Sequence, residues 1–213
     1  MKFLPLLIFV LLAQLKRDHY DMNTYIPKVE LEQVTISASS TPEWLFPLVL
    51  NFTKKKEGFM RRPYLCPAGL LTVGYGDVIT NSSEFHTWTE KEASDKLVKN
   101  FETTLTWVKR ISPEKCKEHQ LWAIAMLAMN CRMTKWKKSE LRQKIIEYTY
   151  IPNRSAFTEL RTKWEAWSKI RNPKTGKKYK SRVLVERRYL EYLIFTGQWN
   201  QIKTDFKQYF PTA

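Results

Sequence analysis

The spacing of apolar side chains predicts that most of this chain is helical. From residue 41 onward, apolar positions recur every three or four residues in several segments, as one buried helix face requires. The first helix should open at Thr41-Pro42-Glu43, which offers an N-cap, a proline at the first helical position and an acidic first turn. It should run to about Lys56, with Glu57 at its end and Gly58 directly after it.

The second half of the chain predicts a series of further helices. Thr89-Glu90-Lys91-Glu92 is a capping box that should begin a helix ending near Arg110. Two further helices should begin at Ser112-Pro113-Glu114 and at Ser139. The next should run from Ser155 to about Ile170, and another from Val183 to its end at Gly197. A last amphipathic segment should extend from Trp199 to Phe210. The run LWAIAMLAMNC is apolar almost all round, which places its helix in the middle of a bundle.

A different pattern follows the first helix. The segment YLCPAGLLTVGYGDVIT contains short apolar runs separated by Pro and Gly, which is typical of a small antiparallel hairpin or meander. Four of the six glycines of the chain lie between residues 58 and 76, and glycine tolerates the positive φ of tight turns. The sequence therefore predicts an α+β fold, with a small antiparallel β-lobe packed on a mainly helical bundle and Glu57 in the cleft between them.

The N-terminal residues predict export. Lys2 precedes an apolar run from Phe3 to Leu15, which is shorter than the roughly 20 residues of a membrane-spanning helix and suits a signal peptide. We expect residues 1–22 to be a signal peptide or a short N-terminal anchor, and we predict cleavage between Ala13 and Asn23. The protein should then be periplasmic or secreted and should contact a membrane only transiently, through this segment. A polar linker (23–41) should precede the folded domain (42–213), with the β-lobe at about 57–86 and the helical lobe at about 88–210.

The charge of the chain points to an anionic partner. Its 36 Lys and Arg against 21 Asp and Glu give a net charge of +15, which attracts nucleic acid, anionic lipid or an acidic wall polymer. No helix-turn-helix or zinc-finger pattern is present, and an exported protein has little access to nucleic acid, so we expect no nucleic-acid partner. The histidines and cysteines lack metal-ligand spacing, and we expect no metal and no cofactor.

The three cysteines, Cys66, Cys116 and Cys131, cannot all pair with one another. At least one thiol should therefore stay free or pair between chains in an oxidising compartment. We expect Cys116 and Cys131 to be small buried hydrophobic residues.

One run of residues resembles a known family. It comprises Glu57-Gly58, Tyr64, Cys66, Pro67-Ala68-Gly69, Thr72 and Gly74-Tyr75-Gly76. This run resembles the phage-type lysozymes or endolysins, glycoside hydrolase family 24, whose Glu, Asp-or-Cys and Thr triad has the same spacing. Downstream, MLAMNC and LVERRYLEYLIFTGQW are similar to two helices of that family, so the resemblance extends from Glu43 to Trp199.

The resemblance implies a lysozyme that hydrolyses the β-1,4 bond between N-acetylmuramic acid and N-acetylglucosamine in peptidoglycan. It implies that Glu57 is the general acid and that Cys66 and Thr72 position water, although Cys66 as nucleophile, base or water-positioner stays open. We expect a monomer whose partner is peptidoglycan, in phage lysis or in bacterial wall turnover. The alternative is a catalytically inactive peptidoglycan-binding module of the same fold.

The chemistry can also be argued from the residues. Glycoside hydrolysis needs an acid to protonate the leaving oxygen and a route for water to the anomeric carbon, and Glu57 is the one carboxylate of its stretch before Asp77. The competing interpretation is a surface salt bridge between Glu57 and Arg61 or Arg62. These arginines would also favour a thiolate at Cys66.

The chain departs from the family pattern at three places. Asp77 stands where the family usually has a histidine that is regarded as structural, so this change bears on local stability. Cys131-Arg132 replaces the usual Val-Gly. Glu186 replaces the first of a run of arginines and leaves Arg187 and Arg188 as candidates to reach the catalytic carboxyl.

Overall fold

The structure of the protein is a computed structural model that describes residues 41–66, 69–131, 136–171 and 175–211. The predicted signal peptide and nearly all of the predicted linker lie outside the described residues. The helices are α1 (Leu45–Glu57), α2 (Glu90–Ile111), α3 (Glu118–Asn130), α4 (Glu140–Tyr150), α5 (Arg154–Glu165), α6 (Arg182–Thr196) and α7 (Trp199–Asp205). The strands are β1 (Met60–Leu65), β2 (Leu71–Gly74), β3 (Asp77–Val78), β4 (Lys169–Arg171) and β5 (Lys178–Lys180), and 3-10 turns cover Ser82–Glu84, Ala166–Ser168 and Lys207–Tyr209.

The predicted α+β architecture is confirmed. Strands β1, β2 and β3 form an antiparallel sheet in that order, next to the end of α1. Tyr64 lies opposite Thr72 and Val73 opposite Asp77. Gly74 turns the chain between β2 and β3 with a φ of 65°, which glycine adopts without the steric penalty of a side chain.

The helices enclose the main hydrophobic core. Helix α3 lies in its middle, as its all-round apolar sequence predicts, and packs against α2 and α6. The other helices contribute fully buried side chains such as Phe52, Ile145, Trp164 and Phe195. A second, smaller cluster lies where the sheet meets the start of α2 and comprises Val73, Tyr75, Trp88, Ala93 and Leu97. This cluster fixes the sheet on the bundle and thereby sets the position of the residues between them.

Two helix starts predicted from capping signals are wrong. The Pro42 carbonyl accepts a hydrogen bond from Leu45 N–H at 3.0 Å, so residues before Leu45 form a turn and α1 begins later than Thr41. The Pro113 carbonyl likewise accepts from Cys116 N–H at 3.0 Å. Helix α3 begins only at Glu118, because the Gln120 side chain caps the Lys117 N–H at 2.8 Å.

The helix predicted from Ser155 to Ile170 also differs. Helix α5 ends at Glu165 and gives way to a 3-10 turn, because Ile170 pairs with Tyr179 in a second antiparallel sheet of β4 and β5. Lys169–Arg171 is therefore a strand and not the end of a helix. No helix in the described residues is long and apolar enough to cross a membrane.

Candidate active site

Glu57 is the last residue of α1, and its carboxylate faces the interior. Gly58 follows with a φ of 74° and donates its N–H to the Lys54 carbonyl, which ends the helix and turns the chain into β1. The Glu57 side chain is only 1% exposed. Its Oε1 accepts a hydrogen bond at 2.5 Å from Nη2 of Arg187 on α6.

The buried ion pair lies beside a small cavity. Besides apolar side chains, the cavity is lined by Glu57, Asp77, Asn100, Arg187 and Glu191, and its volume of about 20 Å³ suffices for roughly one water molecule. Glu57 Oε2 is buried and has no hydrogen-bond partner among the described residues. One carboxyl oxygen is thus held by an arginine, while the other keeps its capacity to carry or accept a proton.

Cys66 directly follows β1 and Thr72 lies on β2, and neither residue lines the cavity beside Glu57. Tyr64 lies directly opposite Thr72 in the β1–β2 register, so the two side chains share a face of the sheet. Burial raises the pKa of Tyr64, and the nearby Cys66 and Glu57 raise it further as potential negative charges. Tyr64 is therefore opposite Thr72 and within electrostatic range of Cys66 and Glu57.

Local hydrogen bonds fix the backbone of Cys66 and the hydroxyl group of Thr72. Cys66 closes a tight turn in which its N–H donates to the Leu70 carbonyl at 2.9 Å and its carbonyl accepts from Gly69 N–H at 2.8 Å. Its thiol is free and its residue is 6% exposed. The buried Thr72 hydroxyl donates to the Leu70 carbonyl at 3.0 Å, so the hydroxyl oxygen retains lone pairs that can accept from water.

Asp77 joins the sheet to the bundle from the far side of the cavity. Its Oδ1 accepts a hydrogen bond at 2.5 Å from Nδ2 of Asn100 on α2, and the residue is 4% exposed. Burial raises the pKa of Asp77 to about 6, although the Asn100 hydrogen bond and Lys96 oppose this effect. Where the family pattern has an imidazole, this chain therefore buries a carboxyl group against a neutral amide.

Arg188 and Glu191 form a second buried network, which reaches the cavity through Glu191. Arg188 is fully buried and donates to Asn130 Oδ1 at 3.0 Å and to Cys131 Sγ at 3.3 Å. It also forms an ion pair with Glu191 Oε1 at 3.0 Å. Glu191 Oε2 accepts from Trp164 Nε1 at 2.9 Å. Burial raises the pKa of Glu191, and the two arginines oppose that effect. This network anchors α6 and so positions Arg187 next to Glu57.

Comparisons with known proteins identify the family of the chain. The family model "Phage lysozyme" matches residues 54–191, which is more than half of the chain. The chain belongs to the phage lysozyme family. No curated protein matches it at a significant level.

The fold of this lysozyme is also similar to solved structures. An endolysin from Escherichia coli O157:H7 phage FAHEc1 shares 20% identity at a TM-score of 0.55, over 70% of this chain and 90% of that one. The muramidase domain of SpmX from Asticaccaulis excentricus shares 19% identity at 0.55, over 69% and 93%. A variant of P22 lysozyme shares 18% identity at 0.52, over 69% and 94%. At these identities the likeness supports the fold, and family membership identifies a glycoside hydrolase of the lysozyme class.

The structure resolves the choice of arginine that the lysozyme sequence left open. Arg187 reaches Glu57, whereas Arg188 turns to the network with Glu191. The surface salt bridge to Arg61 or Arg62 is not formed, because both arginines are exposed and Glu57 pairs with α6 instead. Glu186 binds Lys56 at 2.5 Å and thus ties α6 to α1.

The sequence did not predict several residues of the candidate active site. Nothing local in the sequence indicated that Asn100 would bind Asp77, since they lie on different elements. Glu191 could have been found from its i,i+3 spacing to Arg188 on one helix. Cys131 was expected to be a small buried hydrophobic residue, but the residue is half-buried and its sulfur accepts a hydrogen bond from Arg188.

Proposed function

We propose that this lysozyme hydrolyses the β-1,4 bond between N-acetylmuramic acid and N-acetylglucosamine in peptidoglycan, with Glu57 as general acid. The observation that carries the proposal is the asymmetric environment of the Glu57 carboxyl. Arg187 holds Oε1, while the buried Oε2 has no partner among the described residues. A proton on Oε2 leaves Oε1 free to keep accepting from Arg187, so Glu57 can donate that proton to the glycosidic oxygen and remain in place.

Thr72 and Cys66 are the proposed water-positioning residues. The Thr72 hydroxyl donates its proton to the Leu70 carbonyl, so the hydroxyl oxygen can accept a proton from a water molecule. A lone pair of that water then points away from Thr72. The buried Cys66 thiol, beside Tyr64, is a second polar contact for the same water. Together they would direct water to the anomeric carbon on the side of the sugar away from Glu57.

Access to the acid requires the two lobes to move apart. The Glu57 side chain is 1% exposed and the adjoining cavity has room for about one water, far less than a sugar ring. A separation of the β-sheet from the bundle exposes Oε2 to the glycosidic oxygen. The enzyme is proposed to act outside the cytoplasm as a bacteriolytic protein, after export through the apolar N-terminal segment.

Glu57→Gln tests the general acid. The substituted amide keeps an oxygen for Arg187 but has no proton to donate, so the rate of wall lysis should fall by about 10²–10⁴-fold while the fold is retained. Turbidity loss of purified peptidoglycan sacculi measures the rate, and far-ultraviolet circular dichroism checks the fold. Glu140→Gln, at an exposed carboxylate on α4, is the matched control and should lyse like the unsubstituted chain. Lysis by Glu57→Gln within tenfold of the control would contradict the assignment.

The nature of the new chain ends identifies the bond and separates an active enzyme from an inactive wall-binding module. Fragments released by the unsubstituted protein are reduced with borohydride and analysed by mass spectrometry. Reduced muramic acid ends are expected for muramidase hydrolysis. Reduced glucosamine ends or anhydromuramic ends would refute it, and binding without release of fragments would support the inactive module.

Cys66→Asp and Cys66→Ala separate the roles of the thiol. If Cys66 orients or activates water, Cys66→Asp should keep activity because a carboxylate also accepts from water, whereas Cys66→Ala should lose much of it. Cys116→Ala, which removes another free thiol away from the proposed site, is the control. Unchanged lysis in Cys66→Ala and after thiol alkylation would make Cys66 structural. A trapped glycosyl adduct on the thiol would indicate a nucleophile instead.

A further inference from the structure

A second concave site lies on the outer side of α1. It is a groove of about 410 Å³ lined by Asn51, Lys54, Lys55, Phe59, Tyr75, Glu90, Gln208 and Tyr209. Glu57 and Thr53 on the same helix line the catalytic cavity instead, so the groove and the cavity lie along different faces of α1. Tyr75 lines both of them.

The groove presents two ammonium groups above aromatic rings. Lys54 Nζ lies 5.8 Å from the ring centroid of Tyr75, and Lys55 Nζ lies 5.4 Å from that of Tyr209. Neither lysine has an ion-pair partner in the described parts of the chain, whereas the neighbouring Lys56 binds Glu186 at 2.5 Å. The ring contacts restrain the two ammonium groups, and neither forms an ion pair with Glu90, the carboxylate that lines the same groove.

The remaining groups of the groove make it an anion site with an apolar floor. Its one carboxylate, Glu90, already accepts a hydrogen bond from the Tyr75 hydroxyl at 2.8 Å. The Tyr209 hydroxyl donates to Glu186 at 2.8 Å, and Asn51 donates to the Tyr209 carbonyl, so these groups hold the floor in shape. Tyr75 and Tyr209 are only 3% and 4% exposed, so they support the two lysines from below. The half-buried Phe59 offers apolar contact, while the lysines offer charge.

We propose that this groove, defined by Lys54, Lys55, Tyr75 and Tyr209, binds the carboxylate groups of peptidoglycan stem peptides. The identity of the ligand rests on the proposed function, because peptidoglycan is the substrate and its peptides combine carboxylates with small methyl side chains. Two fixed ammonium groups suit two neighbouring carboxylates. Binding on the outer face of α1 would hold the wall polymer against the enzyme while Glu57 acts on a different face of the same helix.

The test measures binding of the full chain to intact sacculi in the inactive Glu57→Gln background, so that the probe is not consumed. The sacculi are purified free of phosphate polymers and used either unmodified or with their carboxyl groups blocked by amidation. The test variant adds Lys54→Gln and Lys55→Gln. The control adds Lys177→Gln and Lys178→Gln in the second hairpin, which removes the same charge from another surface.

On unmodified sacculi the groove variant should bind about tenfold more weakly than the charge-matched control, as expected for the loss of two ion contacts. On amidated sacculi the two variants should bind equally. Lys54→Arg with Lys55→Arg should restore binding, and thermal melts confirm that each variant is folded. Equal binding of both variants to unmodified sacculi, or a difference that persists after amidation, would overturn the proposal.

The outcome is independent of whether the enzyme cleaves the proposed bond. Release of reduced muramic acid ends by the unsubstituted protein tests the proposed function alone. If those ends appear and the groove variant binds like the control, the groove inference fails and the proposed function stands. If the ends do not appear but the carboxylate-dependent difference is found, the groove binds the wall and the proposed hydrolysis fails.

Discussion

Asp77→Asn should make the protein more stable at neutral pH and remove part of its pH dependence. Asp77 is buried between the sheet and α2, and its neighbours are the amide of Asn100 and the charged groups of Lys96, Glu84 and Glu57. The substitution removes a carboxyl group that must ionise in this buried position at high pH. An amide keeps the oxygen that accepts from Asn100, so the hydrogen bond between sheet and bundle remains.

The size of the effect follows from the raised pKa of Asp77. Between its ordinary value of 3.8 and the native value of about 6, the native state holds the proton more tightly than the unfolded chain. The free energy of unfolding therefore falls as the pH rises through this window, by about 1.4 kcal/mol per pH unit and about 3 kcal/mol in all. The variant lacks this loss, so it should match the unsubstituted protein near pH 4 and exceed it by up to about 3 kcal/mol at pH 8.

Urea unfolding at a series of pH values from 4 to 8, followed by tryptophan fluorescence, measures the difference. Contributions of other titrating groups, such as the buried Glu191, are present in both proteins and cancel when the two curves are subtracted. Asp95→Asn, at an exposed position on the same helix as Asn100, serves as the control. Because its carboxylate is not buried, this substitution should change the free energy of unfolding only slightly. A difference for Asp77→Asn that stays constant with pH, or that favours the unsubstituted protein at pH 8, would refute the reasoning.

Two further substitutions test the packing that supports the site. Arg188→Met should lower the free energy of unfolding by about 3–5 kcal/mol, because it leaves the buried Glu191 without its cation, and adding Glu191→Met should restore most of the loss in the same urea assay. Gly74→Ala should lower the free energy of unfolding by more than the roughly 1–2 kcal/mol that a side chain at a positive φ typically costs. The additional loss is expected because the new Cβ would lie 3.2 Å from Ala93 Cβ. Gly176→Ala has a similar φ of 69°, but its new Cβ would make only an ordinary contact at 3.8 Å with the Arg171 side chain. It should cost less, so equal losses at both glycines would contradict this argument.

Local sequence signals predicted those elements whose determinants lie within a few residues. The Thr89 and Glu92 capping box starts α2, with mutual bonds at 3.2 and 2.7 Å, and the Ser139 hydroxyl caps α4. Gly197 ends α6 with a φ of 70°. Each of these bonds joins groups at most a few residues apart, so the local sequence contains both partners.

Local signals gave wrong helix boundaries where a residue forms a competing hydrogen bond or pairs with a distant strand. Thr41 and Ser112 are good N-cap residues, yet proline carbonyls accept the next N–H groups and delay both helices. The helical spacing before Ile170 was overridden because Ile170 pairs with Tyr179 across a hairpin. The spacing of apolar residues indicates which side chains are buried, and a short strand after the helix can bury the last of them equally well.

The sequence by itself determined the fold class and the spacing that singles out Glu57, Cys66 and Thr72 as proposed catalytic residues. Only the tertiary structure decided their surroundings: Arg187, which binds Glu57, lies 130 residues further along the chain, and Asn100 binds Asp77 from another element. Arg187 and Arg188 are adjacent in sequence, but the helix turns them about 100° apart, so one reaches the candidate active site and the other the buried network. Which of them faces the acid depends on how α6 is rotated against α1 and α3, and that rotation is set by the packing of the whole core.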